Sequence, residues 1–378
     1  MCACGVDGQY RLAVTIGDKE DFLTDDKFIS FTLVEKLGLS LPYFELVFDN
    51  VYPELSRYFN ETAPILIQLG TTQEDLEPIE FTIKVPIIKP KSADCSQVTL
   101  RGFLNNVDYL ETELVNSYEN SMSLDVAKSI AKRHGWTFKS NIAATNDTMT
   151  YYQPYSSDYR FLFNEWLHSY YKDNDIILPA ISSKKVLSYN SLSDLIHNSS
   201  VDNMITFVDS NPEKDEIVVN ANTPNDSGNA LQNSFGNYMK TRDIFDIDTG
   251  STTHIDISNS TPIISESNNT SVNESISKSS GFYMQSSNVH SNYYKQELIN
   301  IQKFMSVQSS IQWVSAVDTL VKNLYPGDLC LYMSKKENGQ VNDQISGMYI
   351  VAKRVIDIKD RHIHTNLQLS RENLNYSK

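Results

Sequence analysis

Three acidic groupings have the residue types for acid–base work: Asp25-Asp26, Glu111-x-Glu113, and Asp243 with Asp246 and Asp248. Hydrolysis of a glycosidic bond needs two carboxylates, one acting as acid and the other as base or nucleophile. In a chain with 47 acidic residues such pairs arise from composition alone, so solvated surface is the weightier reading. The Asp243–Asp248 run has part of a calcium-loop spacing, but the glycine and terminal glutamate of such a loop are misplaced. His362-x-His364 falls in a strand-like run, where positions i and i+2 share a face. Two imidazoles there would need further metal ligands that the neighbouring sequence does not offer. Cys2-x-Cys4 lacks nearby partners for a zinc site and reads as a pair of solvent-exposed thiols. Tyr159, Phe163, Trp166 and Tyr170 recur at helical spacing and read as a core face rather than a recognition stripe.

No phosphate-cradling glycine loop, H-E-x-x-H, G-x-S-x-G or C-x-x-C occurs, so no catalytic residue, cofactor or resident metal is expected. The formal charge of −15 disfavours a nucleic-acid grip, which needs a clustered basic surface, and it disfavours a polybasic membrane anchor. No run approaches the ~20 apolar residues of a membrane helix. The start of the chain lacks the basic and apolar segments of a secretory signal. Four cysteines, Cys2, Cys4, Cys95 and Cys330, do not make a disulfide framework, so folding in a reducing cytoplasm is expected.

The elements that would position these residues follow from periodicity. Leu12–Ile16, Phe28–Val34, Tyr43–Phe48, Ile65–Leu69, Phe81–Ile88 and Val98–Leu104 alternate and are separated by turn residues, which predicts an antiparallel barrel or sandwich. The period then lengthens. A helix over Ser123–His134 is expected with Ser123 as N-cap, Leu124, Ala127, Ile130 and Ala131 on one face, and Gly135 as its stop. A second helix follows Ser156-Ser157-Asp158, with Tyr159, Leu162, Phe163, Trp166, Leu167 and Tyr170 on one face. Ile176–Ile181 with Lys185–Tyr189 reads as a hairpin, and Ser193–His197 as a short helix. Ile205–Val208 and Ile217–Asn222 read as strands about the turn Ser210–Glu213. Gly250–Asn292 is rich in Ser, Asn and Thr and reads either as a mobile loop or as an excursion ordered by a partner. An amphipathic helix within Tyr293–Val307 precedes the strand runs Ile311–Val317, Leu329–Met333, Met348–Ile356 and His362–Leu369. Tyr325-Pro326-Gly327-Asp328 and Asn338-Gly339 supply turns.

This order of elements resembles the central baseplate hub proteins of contractile-tailed phages, kin of the N-terminal part of type VI secretion spike proteins. Four stretches carry the resemblance: Phe28–Leu33 with Tyr43–Asp49; the Ser123–His134 helix with Tyr155–Leu162; Thr206–Lys214; and the Tyr293–Val307 helix with Leu324–Asp328 and Ser346–Val351. The fold class is accordingly α+β, mainly β. Two small antiparallel β-barrel, tube-like domains are expected, with an α+β domain and a polar insertion between their halves. The boundaries are 1–112 for the first barrel, 113–204 for the α+β domain, 205–222 with 308–370 for the second barrel, and 223–307 for the insertion. Phe28, Phe44, Phe48 and Leu331 are candidates for the core or a subunit interface.

The resemblance implies a homotrimer whose six barrels form a ring, matching a hexameric tail tube on one side and a trimeric spike on the other. Tail tube, spike and baseplate wedge proteins would be its partners, DNA would pass in transit without specific binding, and no membrane anchor is involved. The protein would be a non-enzymatic part of the virion tail baseplate, assembled in host cytoplasm. Spike proteins of this kind continue beyond the hub; here the chain ends at Lys378, so any spike would be a separate protein. A lumen that lets DNA slide is expected to be acidic or neutral. The alternatives are a tail-associated cell-wall hydrolase, or a tail-tip hub of a non-contractile phage or injection system.

Overall fold

The computed structural model describes residues 4–6, 9–17, 19, 23–50, 57–72, 74–92, 94–222, 241–256, 280–285, 288–309, 311–335, 340–342 and 345–371. The strands of its first region are β1 (Cys4–Val6), β2 (Tyr10–Ile16), β3 (Phe28–Lys36), β4 (Tyr43–Asn50), β5 (Pro64–Gly70), β6 (Glu77–Ser92) and β7 (Cys95–Leu104). Alternation decides which face is inside. Phe31 and Leu33, Phe44, Leu46 and Phe48, and Val98 and Leu100 each recur every second residue, and all are buried. Gly102 allows β6 and β7 to close up, because a Cβ there would lie 2.0 Å from the Thr82 carbonyl oxygen.

The middle region is mixed: α1 (Asp108–Glu111), β8 (Glu113–Ser121), α2 (Ser123–Arg133), β9 (Thr137–Lys139), β10 (Met149–Ser157), α3 (Asp158–His168), β11 (Ile177–Ser182), β12 (Val186–Ser191) and α4 (Leu192–Asn198). β11 and β12 form the expected hairpin. Two local expectations change. Met122 takes the N-cap position of α2, while the Ser123 hydroxyl and N–H both donate to buried Asp147, at 2.5 and 3.0 Å. The buried side of α3 is Phe161, Leu162, Glu165 and Trp166, whereas Phe163 is exposed. Five aromatic residues in this short helix and its flank define two overlapping stripes, and the helix that packs against Trp166 selects one.

The last region holds β13 (Thr206–Val208), β14 (Ile217–Val218), β15 (Asn220–Asn222), β16 (Thr241–Asp246), β17 (Thr252–Asp256), β18 (Ser280–Gln285), α5 (Tyr293–Ser309), β19 (Ile311–Val317), β20 (Leu329–Met333), β21 (Gly347–Lys359) and β22 (His362–Ser370). β13 and β14 run parallel rather than closing a hairpin. β16–β18 make a small separate sheet, so part of the polar tract is strand; 257–279 and Asn338-Gly339 lie outside the described residues.

The two β-rich ends share one 14-stranded sheet. Its main path runs β1-β2-β5-β6-β7-β4-β3-β21-β20-β13-β14, and β22, β19 and β15 branch from β21. The joint is the antiparallel pair β3–β21, in register from Lys36 opposite Lys353 to Ser30 opposite Lys359. Two buried apolar clusters underlie the sheet. One spans the first and middle regions and takes in Ile356, Ile358 and Ile363 of β21 and β22, and the other lies beneath β13, β19, β20, β21 and β22.

Candidate functional site

Three regions meet at one buried ion pair. Glu35 lies on β3 in phase with Phe31 and Leu33, so its carboxylate points inward. Arg354 lies opposite on β21, in phase with Ile356 and Ile358. Arg354 Nε donates to Glu35 Oε2 at 2.6 Å, and the Ser183 N–H, following β11, donates to Glu35 Oε1 at 2.7 Å. Arg354 Nη1 donates to the Leu324 carbonyl at 3.0 Å, and the guanidinium lies over the Tyr325 ring at 4.4 Å. A buried charge is tolerable only when paired and hydrogen-bonded, and here the partners come from all three regions. Lys184 to Glu77 (3.0 Å) and Lys185 to Glu80 (2.5 Å) clamp the same junction from outside. A cavity of about 330 Å³ opens beside it, lined by Leu33, Leu69, Ile79, Lys184, Tyr325 and Arg354 among others.

The reverse side of the sheet is open. Register places Phe103, Tyr43, Val34, Val355, Asn366 and Ser315 in one row across β7, β4, β3, β21, β22 and β19. The next row reads Arg101, Glu45, Thr32, Asp357, His364 and Val317. The charges on this face of β3, β4, β6, β7 and β21 are Lys36, Lys89, Lys91, Arg101, Lys353 and Lys359 against Glu45, Asp49, Glu80 and Asp357, a net of +2. The acidity of the chain therefore lies elsewhere. Several of these charges are engaged: Arg101 with Glu45 at 2.5 Å, Lys91 with Asp49 at 2.7 Å, and Asp357 with the Thr32 hydroxyl at 2.8 Å. Partial burial and the facing Lys36 hold the Lys353 ammonium below its ordinary value.

A third cluster joins α5 to α3. The last carbonyls of a helix have no partner within it. Asn300 Nδ2 donates to three carbonyls at this end: Trp166 (3.2 Å), Leu167 (2.9 Å) and Ser169 (3.1 Å). Gln296 Nε2 donates to the Asp175 carbonyl at 3.0 Å, and Phe304 meets the Trp166 ring at 4.8 Å. His168 stacks on Tyr293 at 3.6 Å. Burial pushes the His168 imidazole down to about 4 and the Glu165 carboxyl up to about 8. Sequence reasoning missed this cluster and the Glu35–Arg354 pair. The available signal was a charged residue in phase with an apolar series.

The residues singled out by type and spacing do not converge. Asp25 accepts from the Gly5 N–H (2.9 Å), and Asp26 from Thr24 (2.5 Å). Glu111 pairs with Lys84, Asp243 with His254, and Asp246 accepts from two N–H groups of its own turn. His362 pairs with Asp318 at 2.8 Å, and no group of three metal-type ligands occurs among the described residues. Cys4 is not solvent-exposed as expected: it is buried under β2, its thiol donates to the Leu12 carbonyl, and burial raises it to about 12. Cys2 lies outside the described residues. Phe44 and Phe48 are buried in the core, Phe28 packs against that core half-buried, and Leu331 is half-buried on β20.

The architecture is thus one continuous sheet braced by a mixed region, with the acidic groups singled out above engaged in local contacts. The chain shares this fold with the tail protein from Neisseria meningitidis MC58: TM-score 0.58, 10% identity, covering 96% of this chain and 97% of that one. It shares it equally with the 43 kDa tail protein of prophage MuSo2 from Shewanella oneidensis: TM-score 0.58, 8% identity, 97% of this chain and 100% of that one. A component of the E. coli type VI secretion system aligns over 97% of this chain and 79% of its own, at 10% identity and TM-score 0.49. No family model and no curated protein matches the sequence.

Proposed function

We propose that the protein is the hub of a phage tail baseplate, a homotrimeric ring joining a hexameric tail tube to a trimeric spike and lining the path of the DNA. The carrying observation is the β3–β21 seam, which puts two β-units on one sheet with an uncovered, nearly neutral face. Three copies supply six such units, the symmetry that a threefold-to-sixfold adaptor needs. In this reading the units are 1–112 and 205–222 with 308–370, held by the α+β unit 113–204, with 223–307 as a peripheral insertion. A face of net +2 neither grips phosphate as a basic groove would nor repels it strongly. Tube, spike and wedge proteins are the partners, and the assembly is a contractile tail put together in host cytoplasm. No step in this role requires turnover.

The test is mass in solution, alone and with the cognate tube and spike proteins. The ring should sediment at about three times the 42.9 kDa chain, roughly 129 kDa. A chain that remains monomeric with both partners present overturns the proposal.

A further inference from the structure

The middle region carries a two-stranded ribbon, β8 with β10, that belongs to no larger sheet. Its inner face is anchored. Tyr118 stacks on Phe161 of α3 at 5.7 Å, its hydroxyl accepts from Arg133 of α2 at 2.8 Å, and Asn116 donates to Gln153 at 2.9 Å. Alternation then turns Glu113, Val115, Ser117 and Glu119 outward, and all four are exposed. Register sets Tyr152 of β10 opposite Ser117, so Val115 and Tyr152, 49% and 57% exposed, form the centre of the outer face. Glu113 and Glu119 stand towards its two ends, and neither has an ion pair among the described residues. The two strands hold no lysine, arginine or histidine.

The edges of this ribbon are unlike. On β10, Pro154 and Tyr155 together stand against Val115 alone, a bulge in which Tyr155 sits at φ +44° and Pro154 has no N–H. Bulges and prolines spoil a strand edge for further pairing. From Glu113 to Tyr118, β8 has no proline and no lysine, and its own irregularity comes only beyond, at Glu119 and Asn120. β8 pairs with β10 alone, and no backbone hydrogen bond reaches its other side among the described residues. Such an edge offers a row of free N–H and C=O groups to another strand. We propose that the outer edge of β8 takes up an extended segment of another protein, which adds as a third strand along Glu113–Tyr118 and carries a basic residue at each end of an apolar centre. Main-chain bonds hold such a strand, and side chains at alternate positions select it. Glu113 and Glu119 are six residues apart, which sets the two cations roughly 20 Å from one another. A second copy of this chain does not fit the edge, because two paired ribbons would gather two carboxylates from each with no cation between them. The site lies outside the sheet that would form the ring and does not depend on that reading.

The probe is a seven-residue peptide, valine and threonine alternating between two terminal lysines, added to the full chain with no tail protein present. Amide exchange read at single residues should slow at alternate positions of 113–118, those turned away from β10, by roughly tenfold at ten times the dissociation constant. The same peptide with glutamate at both ends should bind roughly tenfold more weakly. Glu113→Lys with Glu119→Lys should reverse that order. Val115→Lys should abolish binding of the lysine peptide and leave the melting temperature unchanged, because the position is exposed. Equal binding by a peptide with proline at its centre would show that no main-chain pairing occurs and would overturn the proposal. So would equal binding of the two charge forms, absence of alternate protection at every soluble peptide concentration, or protection of 113–118 that rises with the concentration of the chain alone.

Discussion

Replacing Glu35 tests whether one buried carboxylate holds three regions together. Glu35→Leu leaves the Arg354 guanidinium buried with only the Val321 and Leu324 carbonyls, at 3.4 and 3.0 Å, and the Tyr325 ring. It also leaves the Ser183 N–H without its acceptor. Removing one partner of a buried pair costs about 3–5 kcal/mol, because the other charge stays desolvated. We expect about 4 kcal/mol. Arg354→Met should cost about 3 kcal/mol, less because a carboxyl can take up a proton when its cation is gone. The double variant has no stranded charge, so it should cost about 4 rather than about 7 kcal/mol, a coupling of about 3 kcal/mol. Guanidinium unfolding followed by fluorescence gives each corner of the cycle. For a cooperative unit of 378 residues Glu35→Leu should lower the melting temperature by roughly 5 °C. A single-variant cost below about 1 kcal/mol, or strict additivity in the double variant, would refute the clasp.

Other outcomes follow from the remaining clusters. Asn300→Ala takes the α5 donor from the Leu167 and Ser169 carbonyls, while the Trp166 carbonyl keeps the Ser169 N–H, and should cost about 2 kcal/mol, read as roughly 30-fold faster amide exchange across Tyr293–Ser309; unchanged exchange would count against the cap. His168 titrates at about 4 when folded and 6.5 when free, so the unfolded state binds the extra proton between these values. The α3–α5 joint should therefore weaken as pH falls from 6.5 towards 4, and His168→Phe should flatten that limb of a stability–pH curve. Glu165 has the opposite sign: with 4.5 free and about 8 folded, the folded state holds the proton, and stability is lost as pH rises through that window. Glu165→Gln should abolish this limb in the same measurement. Tyr155 sits at φ +44° with 78% of its surface exposed, so Tyr155→Gly should relieve about 1 kcal/mol of backbone strain and raise the unfolding midpoint.

What periodicity could reveal was local. The alternation of Phe44, Leu46 and Phe48 marks one strand with one buried face, and it does so without knowledge of the partner strand. The joining of β3 to β21 is different in kind. Glu35 and Arg354 are 319 residues apart, and nothing near either names the other. The sequence does show each as a charge where the alternation calls for an apolar side chain, in phase with Leu33 and with Ile356. Such a breach of pattern is costly to bury alone, so it points to a partner of opposite sign. Glu165 in phase with Leu162 and Trp166 is the same breach on a helix, but there burial raises the carboxyl to about 8 in place of an ion pair. The Ser123 cap failed because a serine before an apolar run satisfies the N-cap rule whether or not its hydroxyl is already bound, and Asp147 takes it.

Charge and sheet continuity bear on each other. In a ring of three copies the formal charge would reach about −45, because charges add under symmetry. Repulsion of that size acts against assembly, so the surfaces that meet must be those from which the acidity has been withdrawn. The open face of the sheet meets that condition, with a net of only +2. Carboxylates at Glu111 and at Asp75 are paired with Lys84 and Lys322 away from it. Confining acid to the remaining surface keeps single copies apart through long-range repulsion, which falls off beyond about 10 Å at moderate salt. In the ring proposed above, the sheet that carries both β-units would turn one face to the conduit, and a nearly neutral face there leaves the acid to the outer surface.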